Sequence, residues 1–82
     1  MSGYTLINKI KEELVKGLAT LNRRQSNKVG VWAQADIMYQ MAVVEGMTEI
    51  ARAVGFNIYL DTDSTGKFIF RDSVSCEEAD LT

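Results

Sequence analysis

The sequence predicts a small α+β domain in which two helices precede a two-stranded antiparallel β-hairpin and a short acidic C-terminal tail. Two observations lead to this prediction. Hydrophobic residues recur every three or four positions up to about residue 54, and from about residue 56 they alternate with polar residues. The chain has 82 residues, 46% of them hydrophobic, and two separate cores would each bury too little surface. We therefore expect residues 1–82 to form one domain.

The first helix is predicted over residues 4–24. Its hydrophobic residues share one face, and charged residues occupy most of the remaining positions. The hydrophobic set is Leu6, Ile7, Ile10, Leu14, Leu18 and Leu21. The polar run from Arg23 to Gly30 predicts the turn to the next element.

The second helix is predicted over residues 31–54, because Gly55 suits the left-handed conformation common just past a helix C-terminus. Its hydrophobic residues cover more of the circumference than the first helix alone can bury. A narrow polar face is predicted at Gln34, Glu45, Thr48, Glu49 and Arg52.

A stripe of small residues runs along the same helix and comprises Ala35, Ala42, Gly46 and Ala53. Glycine inside a helix costs about 1 kcal/mol relative to alanine. We therefore expect another helix to approach closely at Gly46. That helix is either the first helix of the same chain or a helix of a second copy.

A β-hairpin is predicted over residues 56–71. Such a hairpin is marginally stable alone, so we expect it to pack on the helices or to gain strands from a second copy. The tail, residues 72–82, is acidic and poor in core residues. Ser75 and Glu78 match a capping box, which predicts either a last helical turn or a loose end.

Composition excludes most familiar catalytic and metal sites. The chain has no histidine and one cysteine, Cys76, so the commonest general base and a cysteine zinc site are absent. We expect no enzyme activity and no cofactor. A single cysteine predicts a reducing compartment, and the sequence has neither a signal-peptide pattern at its start nor an apolar run of about 18 residues. These features predict a cytoplasmic protein without a membrane segment.

Charge is divided unequally along the chain. Residues 1–35 carry a net charge of +4 and residues 36–82 a net charge of −6. Opposite charges favour association between copies at low salt, although the same pattern also suits two solvated faces. A pI near 5.0 argues against a dedicated duplex nucleic-acid binder.

The segment after the first predicted strand carries regularly spaced oxygen ligands. Asp61, Asp63, Thr65 and Asp72 occupy positions 1, 3, 5 and 12 of a twelve-residue pattern, and Gly66 occupies position 6. In this spacing the segment resembles an EF-hand loop, which implies calcium binding. It departs from that family at position 12, where glutamate is usual, and in its flanks, which are predicted to be strands.

The same segment also resembles the first motif of haloacid-dehalogenase-type phosphotransferases. The motif consists of Asp61, Asp63 and Thr65 after an apolar strand, and it implies a nucleophilic aspartate. Only 17 residues follow Thr65, which leaves no room for the later lysine and acidic pair of that family. The interpretation we favour is a polar hairpin loop in which aspartate and serine side chains bond their own backbone.

One cluster combines basic and aromatic residues. Arg23, Arg24 and Lys28 are suited to phosphate, and Trp32 is suited to stacking on a base, so together they predict a nucleotide site. The helix dipole explains the basic residues equally well, and a lone tryptophan usually belongs to a core.

We expect a non-enzymatic homo-oligomeric binding protein that acts through protein–protein interaction, for example a phage or mobile-element inhibitor of a host protein. The alternatives are a small nucleotide-sequestering protein and a calcium-binding module. The predicted partner or oligomer interface comprises Ala35, Met38, Tyr39, Met41, Ala42, Gly46 and Ala53. For the two methionines, filling gaps beneath the first helix is the alternative role.

Overall fold

The computed structural model describes residues 3–27 and 29–81. Helix α1 spans Gly3–Ser26 and helix α2 spans Ala33–Ala53; strand β1 spans Ile58–Thr62 and strand β2 spans Phe68–Asp72. The strands pair antiparallel, with Ile58 opposite Asp72 and Thr62 opposite Phe68. The predicted α+β fold is confirmed. In the described part of the chain, no helix is long and apolar enough to cross a membrane.

The two helices are in close contact at Gly17 of α1. A Cβ atom added at Gly17 would lie 3.3 Å from Cγ2 of Val44 on α2. Beside this contact, the buried Gln40 side chain donates a hydrogen bond from Nε2 to the carbonyl oxygen of Gly17 at 3.1 Å. A Cβ atom added at Gly46 would meet nothing within 4 Å. The expectation that α1 packs at Gly46 is therefore wrong, because α1 approaches the opposite side of α2.

The core lies between the two helices and one face of the hairpin. Its buried members are Leu14, Leu21, Ile37, Val44, Ala51, Ile58, Phe68 and Phe70. Ile58, Phe68 and Phe70 share one face of the hairpin, as the alternating sequence predicts. The hairpin thus covers one side of the helix pair.

An asparagine side chain on α1 attaches the hairpin to that helix. Asn22 donates from Nδ2 to the carbonyl oxygen of Phe68 at 2.9 Å, and its Oδ1 accepts from the Phe68 N–H at 2.8 Å. Gln25 donates from Nε2 to the carbonyl oxygen of Gly66 at 2.7 Å. The side-chain amide of Asn22 therefore makes the hydrogen bonds that a neighbouring strand would make at the outer edge of β2.

The tail runs back beside β2 and forms no helical turn, so that alternative for the tail is wrong. The Ala79 N–H donates to the Phe70 carbonyl oxygen, and the Asp72 N–H donates to the Glu77 carbonyl oxygen, each at 2.8 Å. Ser75 does not form a capping box, because its hydroxyl accepts from the Glu77 N–H at 3.3 Å. The tail also packs Ala79 and Leu81 against the core.

We predict that Asn22→Ala lowers the free energy of unfolding by about 1–3 kcal/mol, because the Phe68 N–H and carbonyl oxygen both lose their partner. Chemical denaturation followed by circular dichroism measures this difference. The neighbouring exposed residue provides the control, since Arg23→Ala should change stability by less than about 0.5 kcal/mol. Equal stability of the two variants would contradict the role assigned to Asn22.

Candidate functional site

The side of α2 that points away from the core is apolar and uncovered. The buried residues of α2 are Ile37, Gln40, Val44, Thr48 and Ala51. At 100° per residue, the small-residue stripe lies on the opposite side of the helix. We call this opposite side the outer face; it comprises Ala35, Met38, Tyr39, Ala42, Val43, Gly46, Ile50 and Ala53, and the exposed Glu49 lies at its edge between Met38 and Ala42.

Large side chains of the outer face are strongly exposed. Tyr39 is 67% exposed, and Met38 and Ile50 are each 60% exposed. Just before the helix, Trp32 is 75% exposed, and by helical angle it continues the same side of α2. An apolar surface of this extent is typical of an interaction site.

Two residues lie on a different surface of α2 from the one that the sequence predicted. Met41, predicted at the interface, packs against the core and is only partly exposed. Thr48, predicted on the polar face, is buried, and its hydroxyl donates to the Glu45 carbonyl oxygen at 2.6 Å. That hydrogen bond satisfies the hydroxyl, so the core tolerates it. Sequence reasoning also left Val43 and Ile50 out of the interface, although their helical angles place them beside Gly46.

The structure does not place Trp32 in the same cavity as the basic residues of the predicted nucleotide site. Arg23 and Arg24 line a cavity of about 110 Å³ whose other walls include Asp36. Trp32 does not line this cavity, and Lys28 lies outside the described residues. The Asp36 carboxylate offsets part of the positive charge of the two arginines.

The loop between the strands is organised by Asp63. Its Oδ1 accepts hydrogen bonds from the Thr65 N–H at 2.8 Å, the Thr65 hydroxyl at 2.6 Å and the Lys67 N–H at 3.1 Å. The hydrogen bond from the Thr65 hydroxyl is the main cause that lowers the pKa of Asp63. Gly66 adopts a φ of +87°, which favours glycine. This is the geometry of a polar hairpin loop.

The hairpin does not bring the calcium-loop residues together. Asp61 lies opposite Ile69, whereas Asp72 lies opposite Ile58, so the two aspartates are three residue steps apart, or about 10 Å. Asp61 forms an ion pair with Arg71, its Oδ2 lying 2.6 Å from Nε. Within residues 3–27 and 29–81, no group of three histidine, cysteine, aspartate or glutamate residues could hold a metal ion. The flanking strands extend the segment that an EF-hand would curl around the ion.

No family model matches this chain, and neither the curated proteins nor the solved structures include a match. The role of the outer face of α2 therefore depends on its geometry alone. It is the largest grouping of exposed hydrophobic side chains that one element of the described chain presents.

We predict that acid destabilises the protein through the hairpin carboxylates. Hydrogen bonds lower the pKa values of Asp61, Asp63 and Asp72 below the ordinary value of 3.8. Each carboxylate therefore stabilises the fold above that value, and the stabilisation is lost as pH falls through the lower, folded-state pKa. The melting temperature should be nearly constant from about pH 7 to 5 and should fall below about pH 4.

Asp63→Asn isolates one of these groups, because asparagine keeps the accepting Oδ1 and does not titrate in this range. The variant should lose less melting temperature between pH 5 and 3 than the wild type does. Differential scanning calorimetry across this range measures the difference. Identical pH dependence in the two proteins would exclude Asp63 as a contributor.

Proposed function

We propose that this protein is a non-enzymatic homo-oligomeric binding protein, and that a second copy covers the outer face of α2. The observation that carries the proposal is the position of Gly46. It lies at the centre of an exposed apolar helix face, and a Cβ atom added there would meet nothing in its own chain. Glycine at a helix centre is destabilising unless something approaches closely, and the chain itself does not.

The outer face is complementary to itself when two copies of α2 run antiparallel. Ala42 and Gly46 are equally distant in sequence from Val44, and so are Ala35 and Ala53. A two-fold axis at the level of Val44 therefore places small residues opposite small residues and lets the two backbones approach. Antiparallel helix dipoles also attract each other.

Bulky side chains fit the same arrangement. Tyr39 and Ile50 lie on the same flank of the outer face, at nearly equal distances on either side of Val44. The two-fold axis thus brings Tyr39 of one copy against Ile50 of the other. Both side chains are more than half exposed in the single chain, so their contact removes apolar surface from water.

The size of the surface predicts a dimer of moderate affinity. An α-helix of 21 residues is about 30 Å long. From their exposed fractions, Trp32 and Tyr39 together present roughly 300 Å². A standard interface buries about 800 Å² per partner. An interface made by α2 alone would lie at the lower end of the range of interface areas, so we expect micromolar association.

Other features of the chain support a binding role in a reducing compartment. The carboxylates of Asp61, Asp63 and Asp72 are all bonded within the hairpin and its turns, so they are occupied structurally. Cys76 is free and exposed, a state that persists under reducing conditions. We therefore extend the proposal to a cytoplasmic location.

We predict that Gly46→Leu weakens self-association at least tenfold, or by about 1.4 kcal/mol, because the added side chain holds the two backbones apart. The isolated fold should be retained, since the site is open in the single chain. Sedimentation equilibrium at micromolar concentrations measures association, and circular dichroism measures the fold.

A matched small-to-large substitution on the other helix serves as the control. Ala19 is exposed on α1, so Ala19→Leu should leave association unchanged. The proposal fails if the wild type is a stable monomer at these concentrations, or if Gly46→Leu associates as strongly as the wild type.

A further inference from the structure

The outer edge of β2 is closed by the chain itself. Asn22 bonds both backbone groups of Phe68 there. The tail donates to the Phe70 carbonyl oxygen from Ala79 and accepts from the Asp72 N–H through Glu77. An exposed strand edge is a template for pairing with another chain, and at β2 this template is occupied.

The outer edge of β1 is largely open. The Ser73 N–H donates to the Asn57 carbonyl oxygen, and the Asp63 N–H donates to the Lys67 carbonyl oxygen. These bonds orient alternate residues of β1 toward β2, so the backbone groups of Ile58, Leu60 and Thr62 point outward.

One of these outward groups is already occupied, because Arg52 donates from Nη1 to the Ile58 carbonyl oxygen at 3.1 Å. In the described part of the chain, the N–H and carbonyl oxygen of Leu60 form no hydrogen bond. The Thr62 N–H is also engaged, because it donates to the Asp61 carboxylate and so helps to lower the pKa of Asp61. The free groups of this edge are therefore the N–H and carbonyl oxygen of Leu60 and the carbonyl oxygen of Thr62.

Acidic side chains stand beside this free stretch. A cavity of about 220 Å³ is lined by Glu45, Thr48, Glu49, Arg52, Tyr59 and Leu60. Glu45 and Glu49 form no ion pair within residues 3–27 and 29–81. Two carboxylates against one guanidinium leave the cavity with net negative charge, next to a backbone donor and acceptor.

We propose that the outer edge of β1 binds an extended segment of a partner protein as an added strand, with a lysine or arginine of that segment against Glu45 and Glu49. Backbone pairing supplies affinity in such complexes, and flanking side chains supply specificity. Glu45 and Glu49 favour a basic segment. They disfavour pairing with β1 of a second copy, because both sets of carboxylates would then share one sheet. Leu60, Thr62 and Glu45 lie outside the outer face, whereas Glu49 lies at its edge between Met38 and Ala42. Backbone pairing at Leu60 therefore does not rest on self-association.

A soluble peptide of alternating threonine and lysine is the probe. Titrated into isotope-labelled protein, it should shift the amide resonances of Leu60 and Thr62 and should bind at least tenfold more tightly than the same peptide with glutamate for lysine. The double substitution Glu45→Gln and Glu49→Gln, called the glutamine double variant, should reduce the preference for the lysine peptide over the glutamate peptide at least threefold. Absence of shifts at Leu60 and Thr62, or equal binding of the two peptides, overturns the proposal.

Two variants at one exposed position test backbone pairing itself. Thr62→Pro places a proline ring at the outer edge, where it blocks an added strand, and it removes the N–H that donates to the Asp61 carboxylate. Proline is tolerated at strand edges that face solvent. Thr62→Pro should weaken binding of the lysine peptide at least tenfold, whereas Thr62→Val should keep binding within twofold.

A third variant distinguishes peptide binding at the β1 edge from self-association. Gly46→Leu should bind the peptide as the wild type does, because backbone pairing at Leu60 does not involve Gly46. Wild-type binding by folded Thr62→Pro, or shifts confined to the outer face of α2, would overturn the assignment to the β1 edge. If Thr62→Pro does not fold, the glutamine double variant and the glutamate peptide still decide the outcome.

Discussion

The close approach of α1 to α2 at Gly17 determines how the rest of the molecule is arranged. Glycine lets α2 approach closely at this point, since a Cβ atom would lie 3.3 Å from Val44, and the buried Gln40 hydrogen bond to the Gly17 carbonyl oxygen holds the crossing. The crossing selects one side of α2 for the core. Because Gly46 lies on the other side, the apolar surface around it remains outside, and the hairpin packs where the two helices already meet.

The described chain has no further element with which to cover that outer surface. The hairpin is bound to α1 through Asn22, and the tail is occupied along β2. Two surfaces of different character result. The outer face of α2 is apolar and suited to a second copy of itself, whereas the β1 edge offers free backbone groups beside Glu45 and Glu49. We propose that the first surface serves assembly and that the second binds a partner.

Periodicity alone predicted the order of helices and strands, because the helices and β1 each keep a recognisable spacing of hydrophobic residues, although β2 is buried on both faces at Phe68, Ile69 and Phe70. It could not select the buried side of α2, since hydrophobic residues surround most of that helix. Thr48 illustrates the difficulty: a polar residue is buried because its hydroxyl bonds the backbone one turn earlier. The sequence also could not predict that the tail returns beside β2. This return depends on backbone pairing between Phe70 and Ala79, which no local sequence pattern encodes.

The central claim, antiparallel pairing of two α2 helices, is tested most directly by disulfide trapping between differently labelled chains. Ala35→Cys and Ala53→Cys chains, each with Cys76→Ser, would be mixed in equal amounts and oxidised gently. Antiparallel pairing places Ala35 of one copy opposite Ala53 of the other, so the mixed disulfide should exceed both homodimers. Homodimers in excess would indicate parallel pairing, and unlinked chains would indicate that the outer face does not pair; either result contradicts the account.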